Sequence, residues 1–280
     1  GKLVAATGIQ LANVLDVLYT SGDDDANEAS LGPVYTDTGI SAVVWAPTAQ
    51  QVNLLSYSDS KSLQNTYPMT LDENTGIWRY DGDMSLDRTL YRFEVTVYHP
   101  VTGELENLEV TDPYSVSLST NSRFSRFVNL SDDDLKPDGW DTQSVPTIAD
   151  PEDAVIYEGH IRDFSILDES TSEANRGKYL AFTEEGTAPV AHLQKLANAG
   201  MTPFHMLPAN DIASVDENPA NVVNINDTIG DLCRLNRNAA ICEEEPEGTV
   251  IKDLLESYDP ASEGGKAQAL IDQMRGYDSF

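Results

Sequence analysis

Between Pro33 and about Leu130, apolar and polar residues alternate with a period of two, and turn residues interrupt the pattern at short intervals. That rhythm predicts β-strands with one face in and one face out. The strands fall at Ala42 to Trp45, Val52 to Tyr57, Ile77 to Tyr80, Tyr91 to Tyr98 and Leu108 to Val110. Asp72 to Gly76 and His99 to Gly103 supply the turn chemistry between them. Closely spaced short strands of this kind predict an all-β, immunoglobulin-like sandwich over residues 33–131. Residues 1–32 read as a lead-in with a short helical pattern from Ile9 to Leu18, and residues 132–151, rich in Asp, Pro and Ser, as a linker.

The period then changes. Ala154-Val155-Ile156-Tyr157 is a short apolar run of the kind found in a strand buried on both faces. Pro189 to Gly200 places Val190, Leu193, Leu196 and Ala197 at helical spacing, with proline in the first turn and glycine just past the end. Met201 to Leu207 predicts a second buried strand. Strand, helix and strand in that order form a βαβ unit with parallel strands, the opening of an α/β barrel or a doubly wound sheet. Residues 216–280 read as a long polar insertion with two amphipathic helices, one through Val250, Ile251, Leu254 and Leu255, the other through Ala267, Leu270, Ile271 and Met274.

Charge changes the picture next. With 47 acidic against 17 basic residues, the 280-residue chain carries a formal charge of -30, spread over its whole length. Nucleic acid is a poor partner for such a surface, and no run of about 18 apolar residues offers a membrane span. The acidic runs Asp23-Asp24-Asp25 and Asp132-Asp133-Asp134 raise Ca2+ as a ligand, but neither has the alternating spacing and distal glutamate of an EF-hand loop. His99, His192 and His205 are scattered and form no metal constellation. Cys233 and Cys242 lie close together in a polar segment without the further ligands of a zinc site, so a short disulfide is expected. That places the chain in an oxidising setting: secreted, periplasmic or at the cell surface, with any export signal upstream of Gly1.

Several of these segments carry a family likeness. Val44-Trp45-Ala46-Pro47-Thr48-Ala49, Gly76-Ile77-Trp78 and Val110-Thr111-Asp112-Pro113-Tyr114 are similar to the β-sandwich of carbohydrate-binding module family 48. Tyr157-Glu158-Gly159-His160-Ile161-Arg162-Asp163-Phe164-Ser165, then Arg176-Gly177-Lys178-Tyr179-Leu180, His192-Leu193, and Leu207-Pro208 before Asp211-Ile212-Ala213-Ser214-Val215 resemble type I pullulanases of glycoside hydrolase family 13. The cysteine-bearing insertion looks like that of secreted bacterial pullulanases. The resemblance implies a multidomain chain in which the sandwich precedes the first βαβ portion of a (β/α)8 TIM barrel over 152–280, and an α-glucan substrate without an organic cofactor. It also implies hydrolysis of α-1,6 branches in pullulan, starch or glycogen, with retention. Where the family usually reads His-Val-His-Leu-Leu-Pro-Val-Phe-Asp, this chain has Pro203-Phe204-His205-Met206-Leu207-Pro208-Ala209-Asn210-Asp211, with a proline at the start of the strand and Ala209-Asn210 in place of two apolar residues.

Retaining hydrolysis needs two carboxyl groups about 5 to 5.5 Å apart. In the family these sit on later barrel strands, so no catalytic residue is assigned here and the 280 residues alone are expected to be inactive. His160, Arg162 and Asp163 after the first strand and Asp211 after the second fall at the barrel's active-site end. They either support a catalytic site from behind, or order their loops through an Arg-Asp pair and turn capping. For sugar stacking, Trp78 and, more weakly, Tyr91 are the candidates, because a flat ring matches the apolar face of glucose. Trp45, among apolar neighbours, reads as core.

Overall fold

The computed structural model describes residues 11–22, 25–207, 209–210 and 215–278. The alternating region folds into two antiparallel sheets. The first has the order β1-β2-β6-β5, built from β1 (Gly32–Tyr35), β2 (Ile40–Trp45), β5 (Thr70–Asp72) and β6 (Ile77–Gly82). The second runs β4-β3-β7-β8 with β9 also on β7, from β3 (Gln51–Tyr57), β4 (Leu63–Pro68), β7 (Leu90–His99), β8 (Glu104–Val110) and β9 (Ser125–Arg126). Ile40, Ala42, Val44 and Trp78 on one inner face meet Val52, Leu54, Tyr91 and Phe93 on the other to form the sandwich core.

Every strand expected from the alternation is present, each at least one residue longer than read. The short strands β1, β4, β5 and β9 were not legible. β4, Leu-Gln-Asn-Thr-Tyr-Pro, is a mostly exposed edge strand with no apolar face to betray it.

The first sheet is covered on its outer face as well. A helix, α1 (Ala12–Tyr19), leads into a segment whose Ala26, Ala29 and Leu31 pack over Val43, Ile77 and Trp45. β2 is therefore buried on both sides, which its unbroken apolar run Ala-Val-Val-Trp requires.

Downstream, α4 (Ile229–Leu235), α5 (Ile241–Glu244), α6 (Ile251–Ser257) and α7 (Gly264–Met274) bury Val223, Ile229, Leu232, Ile251 and Leu270 in a second core. The two helices read from periodicity are α6 and α7. A disulfide joins Cys233 on α4 to Cys242 on α5, with Cα atoms 5.8 Å apart. The described residues within Gly1–Leu135 and Ala213–Phe280 group into one compact unit, and those within Lys136–Ile212 into another.

The second unit contains the βαβ motif. β10 (Tyr157–His160) pairs in parallel with β11 (Phe204–Leu207), and α3 (Ala188–Asn198) lies between them in sequence. One expectation is corrected here. The two strands start at Tyr157 and Phe204 rather than Ala154 and Met201, and neither run is buried on two faces: Val155 and Ile156 are 57% and 62% exposed, Met206 and Leu207 41% and 38%. Val155 pairs with Thr202, donating its N–H to Oγ1 and accepting from the Thr202 N–H, both at 3.0 Å. Among the described residues β10 and β11 form a two-stranded sheet, which leaves this run uncovered. Pro203, which lacks a donor, heads the second strand by accepting from the Tyr157 N–H at 3.2 Å.

Candidate functional site

The sandwich was expected to offer Trp78 and Tyr91 to a sugar, and the structure corrects both. Trp78 stands opposite Val44 on the inner face and is 6% exposed. Its Nε1–H donates to the Ala46 carbonyl at 3.0 Å. Tyr91 is fully buried, stacks on Phe127 with ring centroids 4.0 Å apart, and donates its hydroxyl to Asp112 Oδ2 at 2.7 Å. Burial, and then Asp112, push the phenol far above its ordinary pKa. Burial also raises the Asp112 carboxyl, against the hydrogen bonds from Tyr91 and the Tyr114 N–H that lower it. Both aromatic residues are core. Alternation says that Ile77 and Trp78 point opposite ways, but not which way is in when both faces are covered.

Trp45, read as core, is the half-exposed tryptophan of the sandwich. Its Nε1–H donates to the Thr75 carbonyl at 2.9 Å, and the ring borders a depression of about 680 Å3 with Asp16, Thr20, Asn27, Leu31 and Tyr114. Tyr114 is 44% exposed. A second depression, about 970 Å3, lies along β5 and β6. At its rim Arg79 donates to Asp81 (2.6 Å) and Ser41 (2.7 Å), and Ser41 donates to Asp81 at 2.6 Å. The Ser41 hydroxyl, ahead of Arg79, holds Asp81 below the usual carboxylate range. On the other sheet, Arg92 lies 5.5 Å over the Phe124 ring and bonds Glu109 at 3.1 Å, while Tyr57 meets Phe124 edge-on. Sequence reasoning missed Tyr114, Phe124 and Arg92. Only Tyr114 left a signal, as the last residue of the Val-Thr-Asp-Pro-Tyr motif.

In the second unit, parallel pairing brings the C-terminal ends of β10 and β11 to the same end, His160 beside Leu207. His160 Nδ1 accepts from the Arg162 N–H at 3.2 Å and so caps the short helix α2 (Ile161–Ser165), which carries Arg162 and the exposed Asp163. Tyr179 donates its hydroxyl to the Ala209 carbonyl at 3.1 Å, tying the segment after β11 in place. Asp211 lies outside the described residues. Gly159 is needed where it stands, since a Cβ there would come within 2.9 Å of the Phe204 ring. Phe204 also contacts the stacked Phe164–Phe182 pair. Glu158 and His205, cross-strand partners, pair at 3.2 Å.

The acidic run after the sandwich has partners of its own. Arg88 reaches Asp132 at 2.5 Å and Asp134 at 2.9 Å, anchoring these residues to the sandwich. Asp23 and Asp24 are outside the described residues. Among the described residues, no three His, Cys, Asp or Glu side chains are grouped to hold a metal ion, and no helix is long and apolar enough to cross a membrane.

Known proteins match this arrangement in both sequence and structure. Carbohydrate-binding module 48 (Isoamylase N-terminal domain) matches residues 30–115, and the Pullulanase Ins domain matches residues 212–280. Pullulanase of Klebsiella pneumoniae is 38% identical over 291 aligned residues that take in 100% of this chain and 26% of the relative. Pullulanase 1, chloroplastic, of Arabidopsis thaliana is 41% identical over 79% of this chain and 22% of its own length. The crystal structure of Klebsiella pneumoniae pullulanase complexed with maltotriose superposes with a TM-score of 0.85 at 36% identity, over 95% of this chain and 26% of that one. The chain thus spans about a quarter of the length of the relatives it matches. With the module, the insertion domain and the sequence between them all aligned in order, the chain belongs to the pullulanase family.

Proposed function

We propose that this chain is part of an α-glucan debranching enzyme that hydrolyses α-1,6-glucosidic bonds in pullulan, starch or glycogen. The observation that carries the reading is the 38% identity to Klebsiella pneumoniae pullulanase across the whole of this chain. In this reading β10, α3 and β11 open a (β/α)8 barrel. Such a barrel takes about 250 residues and carries its active site on the loops after the C-terminal strand ends. His160, Arg162, Asp163 and Asp211 then support that end without touching the scissile bond. The retaining acid and nucleophile belong to strands other than these two, so the reaction runs through a glycosyl-enzyme intermediate formed on carboxylates not assigned here. The Cys233–Cys242 disulfide supports an extracytoplasmic location.

Two assays of reducing ends test the reading. The product of the whole reading frame that contains these residues should release reducing ends from pullulan, and the 280-residue chain alone should release none. No pullulan cleavage by the former would remove the debranching assignment. Turnover by the latter would show that the catalytic carboxylates lie within this chain.

A further inference from the structure

The outermost strands are β1 and β5 on the first sheet and β4 and β8 on the second. Three of them carry features that stop another strand from pairing there. β8 bears Glu104, Glu106 and Glu109. β1 is four residues long with Pro33 inside it, and β5 is three residues long and ends on Asp72. β4 differs. Its six residues, Leu63–Pro68, lie inside the uncharged stretch Ser62 to Leu71 and pair only with β3. On a chain of charge -30, a neutral and unguarded strand edge stands apart from the rest of the surface.

The groups left open on β4 follow from its pairing. The Met69 N–H donates to the Val52 carbonyl at 3.0 Å, so the backbone there faces β3. Two and four residues back, Tyr67 and Asn65 face β3 as well, opposite Leu54 and Ser56. Alternation turns the N–H and C=O of Thr66 and Gln64 the other way, onto the open edge. Neither residue's backbone groups have a partner among the described residues. Pro68 has no N–H to offer, so the open run stops there, and the register shift opposite Leu63 stops it at the other end. What remains is its own complement. Turned about a twofold axis at Asn65, Gln64 meets Thr66 of a second copy and Thr66 meets Gln64, each pair exchanging both hydrogen bonds. The side chains suit this register too. Exposed Asn65 stands opposite Asn65, and Leu63, 54% exposed, opposite Tyr67, so no charge is set against another.

We propose that β4 is a self-association edge, where a second copy of this chain adds its own β4 antiparallel and joins the two second sheets into one. A contact of one short strand is smaller than a standard interface, so the dimer is weak. It tightens with salt, because salt screens the repulsion between two acidic chains. The test is sedimentation velocity of the 280-residue chain from about 10 µM to about 500 µM, in about 0.05 M and about 0.5 M sodium chloride. The expected result is a monomer–dimer equilibrium, tighter at the higher salt. Asn65→Glu and Asn65→Lys each set like charges face to face on the twofold axis and weaken it about five- to tenfold. Mixing the two variants restores it. Leu105→Glu, on the edge of β8, leaves it unchanged. Circular dichroism melts show that each variant is folded. A chain that stays monomeric over the whole range overturns the proposal. So does a dimer indifferent to both Asn65 variants, or one that their mixture does not restore.

Discussion

Tyr91 and Asp112 form a closed polar pair inside an apolar sandwich, 0% and 4% exposed. Tyr91→Phe keeps the ring and its stack on Phe127 but removes a hydrogen bond that lowers the Asp112 pKa. A buried acceptor stripped of its donor costs about 1–3 kcal/mol. The cost depends on pH. The Asp112 carboxyl is raised in the folded state, so its contribution to stability is fully present below the ordinary carboxylate pKa and is lost as pH rises through the raised value. Losing the tyrosine raises that value further. Urea unfolding should therefore show a larger penalty for Tyr91→Phe at neutral pH than near about pH 4. Equal penalties at both would mean that the carboxyl does not titrate with folding. At this scale the sequence was a poor guide. Trp45, read as core, is half-exposed and Trp78, read as a stacking candidate, is buried, because alternation does not say which chain segments are laid over each face of the sheet.

Between elements, a polar clamp ties the sandwich to the helical region. Asn121 donates through Nδ2 to Asp216 Oδ1 at 3.1 Å and accepts from the Glu217 N–H at 2.8 Å. Asn121 holds φ +58°, a conformation that asparagine tolerates better than alanine does. Asn121→Gly should lose only the bonds, about 1 kcal/mol each, and Asn121→Ala should lose about 1–2 kcal/mol more to backbone strain. Asp216 is held below the usual carboxylate range, first by the Asn218 N–H and then by Asn121 and Asn221. Its contribution is present above the ordinary carboxylate pKa and is lost as pH falls through the depressed one. Hydrogen exchange at 119–124 and 215–222 should therefore speed up in both variants at neutral pH and differ less from the parent in acid. Slower exchange in Asn121→Ala than in Asn121→Gly would remove the strain argument. No sequence pattern links residues 95 apart. The capping box at the start of α4, by contrast, is built from near neighbours, although the helix it starts was not read from periodicity. Thr228 Oγ1 and the Asp231 carboxylate bond each other's backbone N–H groups at 3.3 and 3.1 Å, at the Thr-x-x-Asp spacing that marks a helix start.

Over the whole molecule, the charge of -30 acts against compactness, because few cations share the surface with so many carboxylates. Screening lengths near 10 Å at about 0.1 M salt predict that the melting temperature climbs as sodium chloride is raised from millimolar to about 0.5 M. A fall over that range would mean that ion pairs such as Arg88 with Asp132 and Asp134 outweigh the repulsion. What the sequence determined alone were features carried by near neighbours: the two-residue alternation of the sandwich, the helical spacing of α3, α6 and α7, the parallel order of β10 and β11, and the nearby cysteines. It also carried the ordered motifs by which the family is known. Tertiary structure decided what covers the outer face of β2 and β6, that Trp78 and Tyr91 are core, and that Trp45 and Tyr114 border one depression. The reason is physical. Local periodicity fixes which side chains share a face, whereas exposure depends on what distant chain is laid over that face, and that choice is made only when the whole unit packs.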